Sequence, residues 1–142
     1  MREILFRGKS LKDNEWTEGY YCRYGWTEKE KDYIIPDYAS ALYGVEVDSN
    51  TIGQYTGLTD KNGVKIFEGD IVEYETGKKV RIGRVFFSDF RASFSVTAGK
   101  NGSARINNDL FNYIQNRNSV IVIGNIYDNP ELIGGADDEN IV

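Results

Sequence analysis

Apolar residues fall along this chain in short runs, several of them alternating with polar positions, and nearly every run ends at Gly, Asn, Asp or Pro. Period-two alternation bounded by turn residues is the pattern of half-buried β-strands. Glu3 to Arg7 reads as a first short strand, and the aromatic run Tyr20 to Trp26 as a second. The charged stretch Glu28 to Asp32 leads into Tyr33-Ile34-Ile35, a strand stopped at Pro36. Ser40 to Tyr43 has helical composition but is too short to stand alone. Val45 and Val47 alternate with polar neighbours, Asp48-Ser49-Asn50 breaks the run, and Thr51 to Tyr55 resumes it.

Asn62-Gly63 tolerates the positive φ angles of a hairpin turn, and Glu68-Gly69 supplies a second turn. Asp70 to Glu75, Lys79 to Phe87 and Phe90 to Val96 then read as three consecutive strands forming a meander. In the third, Phe90, Ala92, Phe94 and Val96 would share one face, with Arg91, Ser93 and Ser95 on the other. Asn108 to Arg117, with Leu110, Phe111 and Ile114 at spacings of three and four, is the one predicted helix. Val120 to Ile123 is continuously apolar, which predicts a strand buried on both faces. Asp128-Asn129-Pro130 ends its continuation, and the tail from Gly134 is polar.

The composition agrees with an all-β reading. There are 10 Tyr and 7 Phe among 142 residues, and aromatic side chains favour half-buried strand surfaces. No stretch is long and apolar enough to span a bilayer, and MREILFRGK has no apolar core of a signal peptide, so a cytoplasmic location is expected. The single Cys22 fits a reducing compartment and reads as a half-buried strand residue rather than a nucleophile.

With no histidine in the chain, Ser-His-Asp and Cys-His machinery is excluded, together with the commonest zinc ligand. Asp60-Lys61-Asn62-Gly63 suggests a calcium loop, but aligning its glycine puts Leu58 first and Gly69 last, where carboxylates are needed; a hairpin turn is the better account. Glu68, Asp70, Glu73 and Glu75 could in principle serve a metal-dependent hydrolase, yet alternation puts Asp70 on the face opposite Glu73 and Glu75. A solvated strand face with a turn aspartate explains them. No phosphate loop, dinucleotide fingerprint or paired-cysteine motif is present. No catalytic residue, cofactor or metal is predicted, and the chain is expected not to be an enzyme.

Net charge is −5, but Thr76 to Arg105 carries seven cations against Asp89, a local +6 that leaves −11 elsewhere. Lys78, Lys79, Arg81, Arg84 and Arg91, with Phe86, Phe87 and Phe90 among them, form the candidate partner surface. Cations interleaved with aromatics are what single-strand nucleic-acid binders use. The bland alternative is that the rings fill the core while the cations face water or pair with acidic residues of the same protein or a second copy. The overall negative charge favours self-association over nucleic acid.

The block Gln54 to Val72, which contains TGLTDKNGVKIFEGDIV, closely resembles the TGLKDKNGKEIYEGDIV signature of YopX-like proteins. Arg2 to Gly8 resembles that family's opening strand, and Val122 to Leu132 (VIGNIYDNPEL) its closing IGNIYENPEL segment. The resemblance runs from Arg2 to about Ile133. It implies an all-β fold with N-terminal β elements, about residues 1–56, packed on a C-terminal SH3-like barrel, about 57–133. One YopX-like domain, 1–134, would then precede a polar tail at 135–142, with at most one or two short helices. It also implies occurrence in phage, prophage and bacterial genomes, and it brings no catalytic residues. The first expectation for function is a non-catalytic binding or assembly module, a homo-oligomer with a possible protein partner in a phage-infected or lysogenic cell and no membrane. The alternative is a nucleic-acid-associated phage accessory protein using the Lys78 to Arg91 surface.

Overall fold

The computed structural model describes residues 2–39, 43–76, 79–98, 104–105, 110–115 and 119–134. The fold is all-β, built from antiparallel sheets with two short helices among the described residues. The chain divides into two compact units, Met1–Gly57 and Leu58–Val142. No helix among the described residues is long and apolar enough to cross a membrane.

The first unit holds β1 (Phe6–Lys9), β2 (Trp16–Tyr24), β3 (Lys31–Pro36), β4 (Val45–Glu46) and most of β5 (Gly53–Thr59), in the sheet order β4-β3-β2-β1-β5. Leu5, Ile34, Val47 and Tyr55 are its buried apolar side chains. The β1–β2 turn is local chemistry: Ser10 N–H bonds to the Glu15 carbonyl, and the Asp13 carboxylate accepts from Glu15 N–H. β3 passes close to β2 at Gly19, opposite Pro36; a Cβ there would lie 2.0 Å from the Ile35 carbonyl oxygen. Asp48 caps a 3-10 turn, Ser49–Thr51, between β4 and β5. The expected tight turn at Asp48-Ser49-Asn50 is therefore present, with strand resuming at Gly53 rather than Thr51.

The second unit starts with the end of β5 and its hairpin partner β6 (Lys65–Phe67). It continues through β7 (Asp70–Thr76), β8 (Lys79–Ser88), β9 (Ser93–Ala98), β10 (Ala104–Arg105), α1 (Leu110–Gln115), β11 (Val120–Asn125) and α2 (Glu131–Gly134). Its five-stranded sheet has the order β10-β9-β8-β7-β11. That order is open, and among the described residues no pairing closes it into a barrel. Ile66, Val72, Tyr74, Val85, Val96, Leu110, Tyr113 and Val120 form one buried cluster. α1 lends it Leu110 and Tyr113, which are a helical spacing of three apart.

Several local expectations differ from the structure, beginning with the first strand, which was expected over Glu3 to Arg7 and runs Phe6–Lys9. Phe90 to Ala92 lies in a turn rather than a strand: Arg91 N–H bonds to Ser88 Oγ, Ala92 has φ 52°, and β9 begins only at Ser93. An alanine in the left-handed region reverses the chain, so Phe90 is 97% exposed instead of packing with Phe94. β11 is buried at Val120 but half-buried from Ile121 to Asn125, as the edge strand of its sheet, and its register shifts between Val122 and Gly124. Glu131–Gly134 forms a helical turn where the sequence suggested only a stop. Much of Ser40 to Tyr43 and the helix flanks 108–109 and 116–117 lie outside the described residues.

Candidate functional site

The second unit is organised around the carboxylate of Asp60, 7% exposed. Oδ1 accepts from Asn62 N–H (2.8 Å) and Val64 N–H (2.9 Å), closing the turn of the β5–β6 hairpin with Gly63 at φ 82°. Oδ2 accepts from Val122 N–H of β11 at 2.9 Å, and Lys61 N–H bonds to the Val120 carbonyl. An ionised carboxylate satisfying three backbone donors is the strong form of such a tie. Asp70, 2% exposed, accepts from Phe67 N–H at 2.7 Å and fixes the β6–β7 turn. Gly69 in that turn has φ 87°; its N–H reaches the Val85 carbonyl and its own carbonyl accepts from Ile126 N–H. Asn125 Oδ1 accepts from Tyr127 and Asp128 N–H, and Asn129 Oδ1 from Asn125 N–H, so the segment after β11 is a compact Asn-directed turn.

Asp60, Gly69 and Asp70 thus belong to the scaffold. The four carboxylates considered for acid–base work do not form a common site, since Asp70 is buried against its own turn while Glu75 is exposed. Among the described residues no group of three His, Cys, Asp or Glu side chains is placed to hold a metal ion. A shallow cleft of about 370 Å³ is lined by Thr59, Asp60, Lys61, Glu75, Ile114, Ser119 and Val120. Its buried carboxylate already carries three hydrogen bonds.

The basic residues are dispersed. Lys79 and Arg81 share one face of β8, the face that carries Val85, and Arg81 stands opposite Tyr74. Arg84, opposite Thr97, projects from the other face. Arg91 lies in the turn beyond the far end of the strand, and the stretch from Arg81 to Ser88 alone spans roughly 23 Å at ~3.3 Å per residue. Lys78 lies outside the described residues. Of the three phenylalanines, Phe87 packs edge-on against Phe94 at 5.2 Å, Phe86 is half-buried and Phe90 is exposed.

The first unit also leaves several aromatic side chains in water. Tyr20 (53%), Tyr24 (65%), Trp26 (80%), Tyr38 (89%) and Tyr43 (68%) are all exposed. Tyr20, Cys22 and Tyr24 alternate on one face of β2, while Tyr21 turns to the other, 5.6 Å from Phe6, and donates its hydroxyl to Asp32. That hydrogen bond, more than burial, raises the Tyr21 pKa above its ordinary value. The signal was present in the sequence. In YYCRYGW the aromatics follow one another without polar alternation, so a strand with one buried face must leave some of them in water.

The scaffold contacts join the two segments on which family likeness rests, TGLTDKNG…EGDIV and VIGNIYDNPEL, through Asp60 to Val122 and Gly69 to Ile126. The family model for the YopX protein matches residues 5–134, most of the chain. The chain belongs to the YopX family. Among solved structures, this YopX-family chain is similar to the crystal structure of protein EF1440 from Enterococcus faecalis. Identity is 27% and the TM-score 0.57, with 94% of this chain and 99% of that one covered. No curated protein matches the chain.

Proposed function

We propose that this YopX-family protein is a non-catalytic binding or assembly module of phage or prophage type that works in the bacterial cytoplasm and self-associates. The observation that carries the reading is the number of exposed aromatic side chains in the first unit, Tyr20, Tyr24, Trp26, Tyr38 and Tyr43. Tyr and Trp are the residues that protein interfaces enrich, because they bury large area at low side-chain entropy. The buried carboxylates Asp60 and Asp70 are occupied by backbone donors.

The experiment is light scattering across protein concentration beside fluorescence anisotropy with single- and double-stranded DNA and RNA. The expected result is a concentration-dependent oligomer without oligonucleotide binding. The second reading, nucleic-acid association, draws on Lys79 and Arg81 sharing one face of β8. It predicts a monomer whose oligonucleotide affinity falls steeply with salt and is lost on charge reversal of Lys79 and Arg81. That outcome would replace the first reading.

A further inference from the structure

The turn between β8 and β9 holds a phenylalanine in water. Four residues, Asp89 to Ala92, connect the paired Ser88 and Ser93. Phe90 stands in that turn, 97% exposed, the most exposed large apolar side chain among the described residues. The backbone around it is braced. Arg91 N–H bonds to Ser88 Oγ at 3.2 Å, and Ser88 itself is buried. Ala92 sits at φ 52°, a conformation that glycine adopts freely and alanine only under strain. At the base of the turn Phe87 packs edge-on against Phe94. Strained backbone of this kind clusters at binding sites and ligand clamps. The turn thus presents a fixed apolar knob.

The first unit has a cleft of matching character. It measures about 540 Å³ and is lined by Arg2, Glu3, Ile4, Phe6, Tyr20 and Tyr21. The Phe6 and Tyr21 rings lie 5.6 Å apart and are tilted by 49°, and the Tyr21 hydroxyl is held by Asp32. A third ring entering beside such a pair finds the tilted and edge-to-face contacts that aromatic groups prefer. Ile4 and Tyr20 add exposed apolar surface. Clefts of roughly 300–1,000 Å³ take whole small ligands, so a phenyl ring fits within this one. The charges match as well. Phe90 is flanked by Asp89 and Arg91, and the cleft carries Arg2 and Glu3. Phe90, almost wholly exposed, does not occupy the cleft of its own chain.

We propose that Phe90 of one copy inserts into the Phe6–Tyr21 cleft of a second copy, with Asp89 beside Arg2 and Arg91 beside Glu3. The proposal rests on the self-association reading and names its contact. The two pairs of opposite sign give a protein of net charge −5 a local attraction that orients the encounter. A lipid surface does not suit the turn, because Asp89 would be carried into it with the ring. Knob and cleft are different patches, so the contact is heterologous and each copy offers one of each.

That asymmetry supplies the test. Phe90→Ser removes the knob and leaves the cleft, whereas Ile4→Glu/Tyr20→Glu spoils the cleft and leaves the knob. In light scattering across protein concentration, each variant alone should self-associate at least ~30-fold more weakly than the unaltered protein, the effect of losing a buried anchor. Mixed in equal amounts, they should form a one-to-one complex, since one intact knob then meets one intact cleft. The complex also shows that both variants are folded. Phe90 is exposed, so Phe90→Ser should melt with the unaltered protein, which keeps its weakened association interpretable. Self-association that survives Phe90→Ser unchanged overturns this contact while leaving the self-association reading intact. Two weakened variants whose mixture stays monomeric overturn it too, because knob and cleft then do not meet. An unaltered protein that is monomeric at every concentration overturns both the contact and the reading.

Discussion

Replacing Asp60 by alanine removes the acceptor for three backbone N–H groups at once, those of Asn62, Val64 and Val122, held at 2.8–2.9 Å by a carboxylate 7% exposed. A hydrogen bond to a charged group contributes about 1.5–3 kcal/mol, and a donor left buried and unpaired costs its desolvation. Some of the three donors will find water once the side chain is gone, so the lower end applies, and the sum is about 4 kcal/mol. For a domain of this size, with ~4–8 °C per kcal/mol, the melting point of the second unit should fall by at least ~15 °C. Asp60→Asn is the informative companion. It keeps the oxygen that serves Asn62 and Val64 but sets an NH₂ group against Val122 N–H, and should lose about half as much. The assay is thermal melting followed by far-UV circular dichroism, which sees both sheets. Tryptophan emission is followed beside it, because Trp16 and Trp26 both lie in the first unit and report on it alone. If Asp60→Ala melts within ~3 °C of the unaltered protein, the carboxylate is not the tie described and the reasoning fails.

Three further outcomes are expected. Gly19→Ala sets a Cβ 2.0 Å from the Ile35 carbonyl oxygen, a backbone atom that cannot swing away, so β2 and β3 must separate; tryptophan emission should show a loss of several kcal/mol, above the ~1 kcal/mol typical of point changes, and an unchanged melt would refute it. Burial, with the charges of Tyr74 and Glu75 adding to it, pushes the Tyr113 hydroxyl up to about 12. Its folded pKa is above the ordinary 10, so its contribution is whole below pH 10 and is lost as pH rises toward 12; Tyr113→Phe should flatten that slope in alkaline denaturation curves. Melts with and without a strong chelator should coincide, because no carboxylate set among the described residues is placed to hold a metal ion; a drop of several degrees would reveal a structural site.

The sequence is most legible where local chemistry decides structure. The Asn62-Gly63 and Glu68-Gly69 turns, and the strands on either side of them, follow from residue type alone. Pairing is less legible. That Asp60 would reach Val122, 62 positions away, depends on strand order, which a linear pattern does not encode. The turn at Ala92 was hidden because alanine seldom adopts a positive φ and Phe90 to Val96 alternates well enough to pass for a strand. The dispersal of the cations has the same root. A local charge excess of +6 says nothing about strand parity, and parity sends Arg84 to the face opposite Arg81. That β2 runs on past β1 arises from unequal lengths, β1 being four residues long and β2 nine.

The Asp60–Val122 bond also sets a timetable for biosynthesis. At ~5–20 residues per second, β11 follows Asp60 out of the ribosome only after roughly 3–12 s. During that interval β7 lacks the partner that will cover it at Val72 and Tyr74. The nascent second unit carries a bare strand edge beside an unfinished core, and any chain released before Val120 keeps both permanently. Such truncated products are the natural clients of chaperones and proteases, while the first unit, with β1 to β4 inside Met1–Gly57, can begin to fold as soon as it emerges.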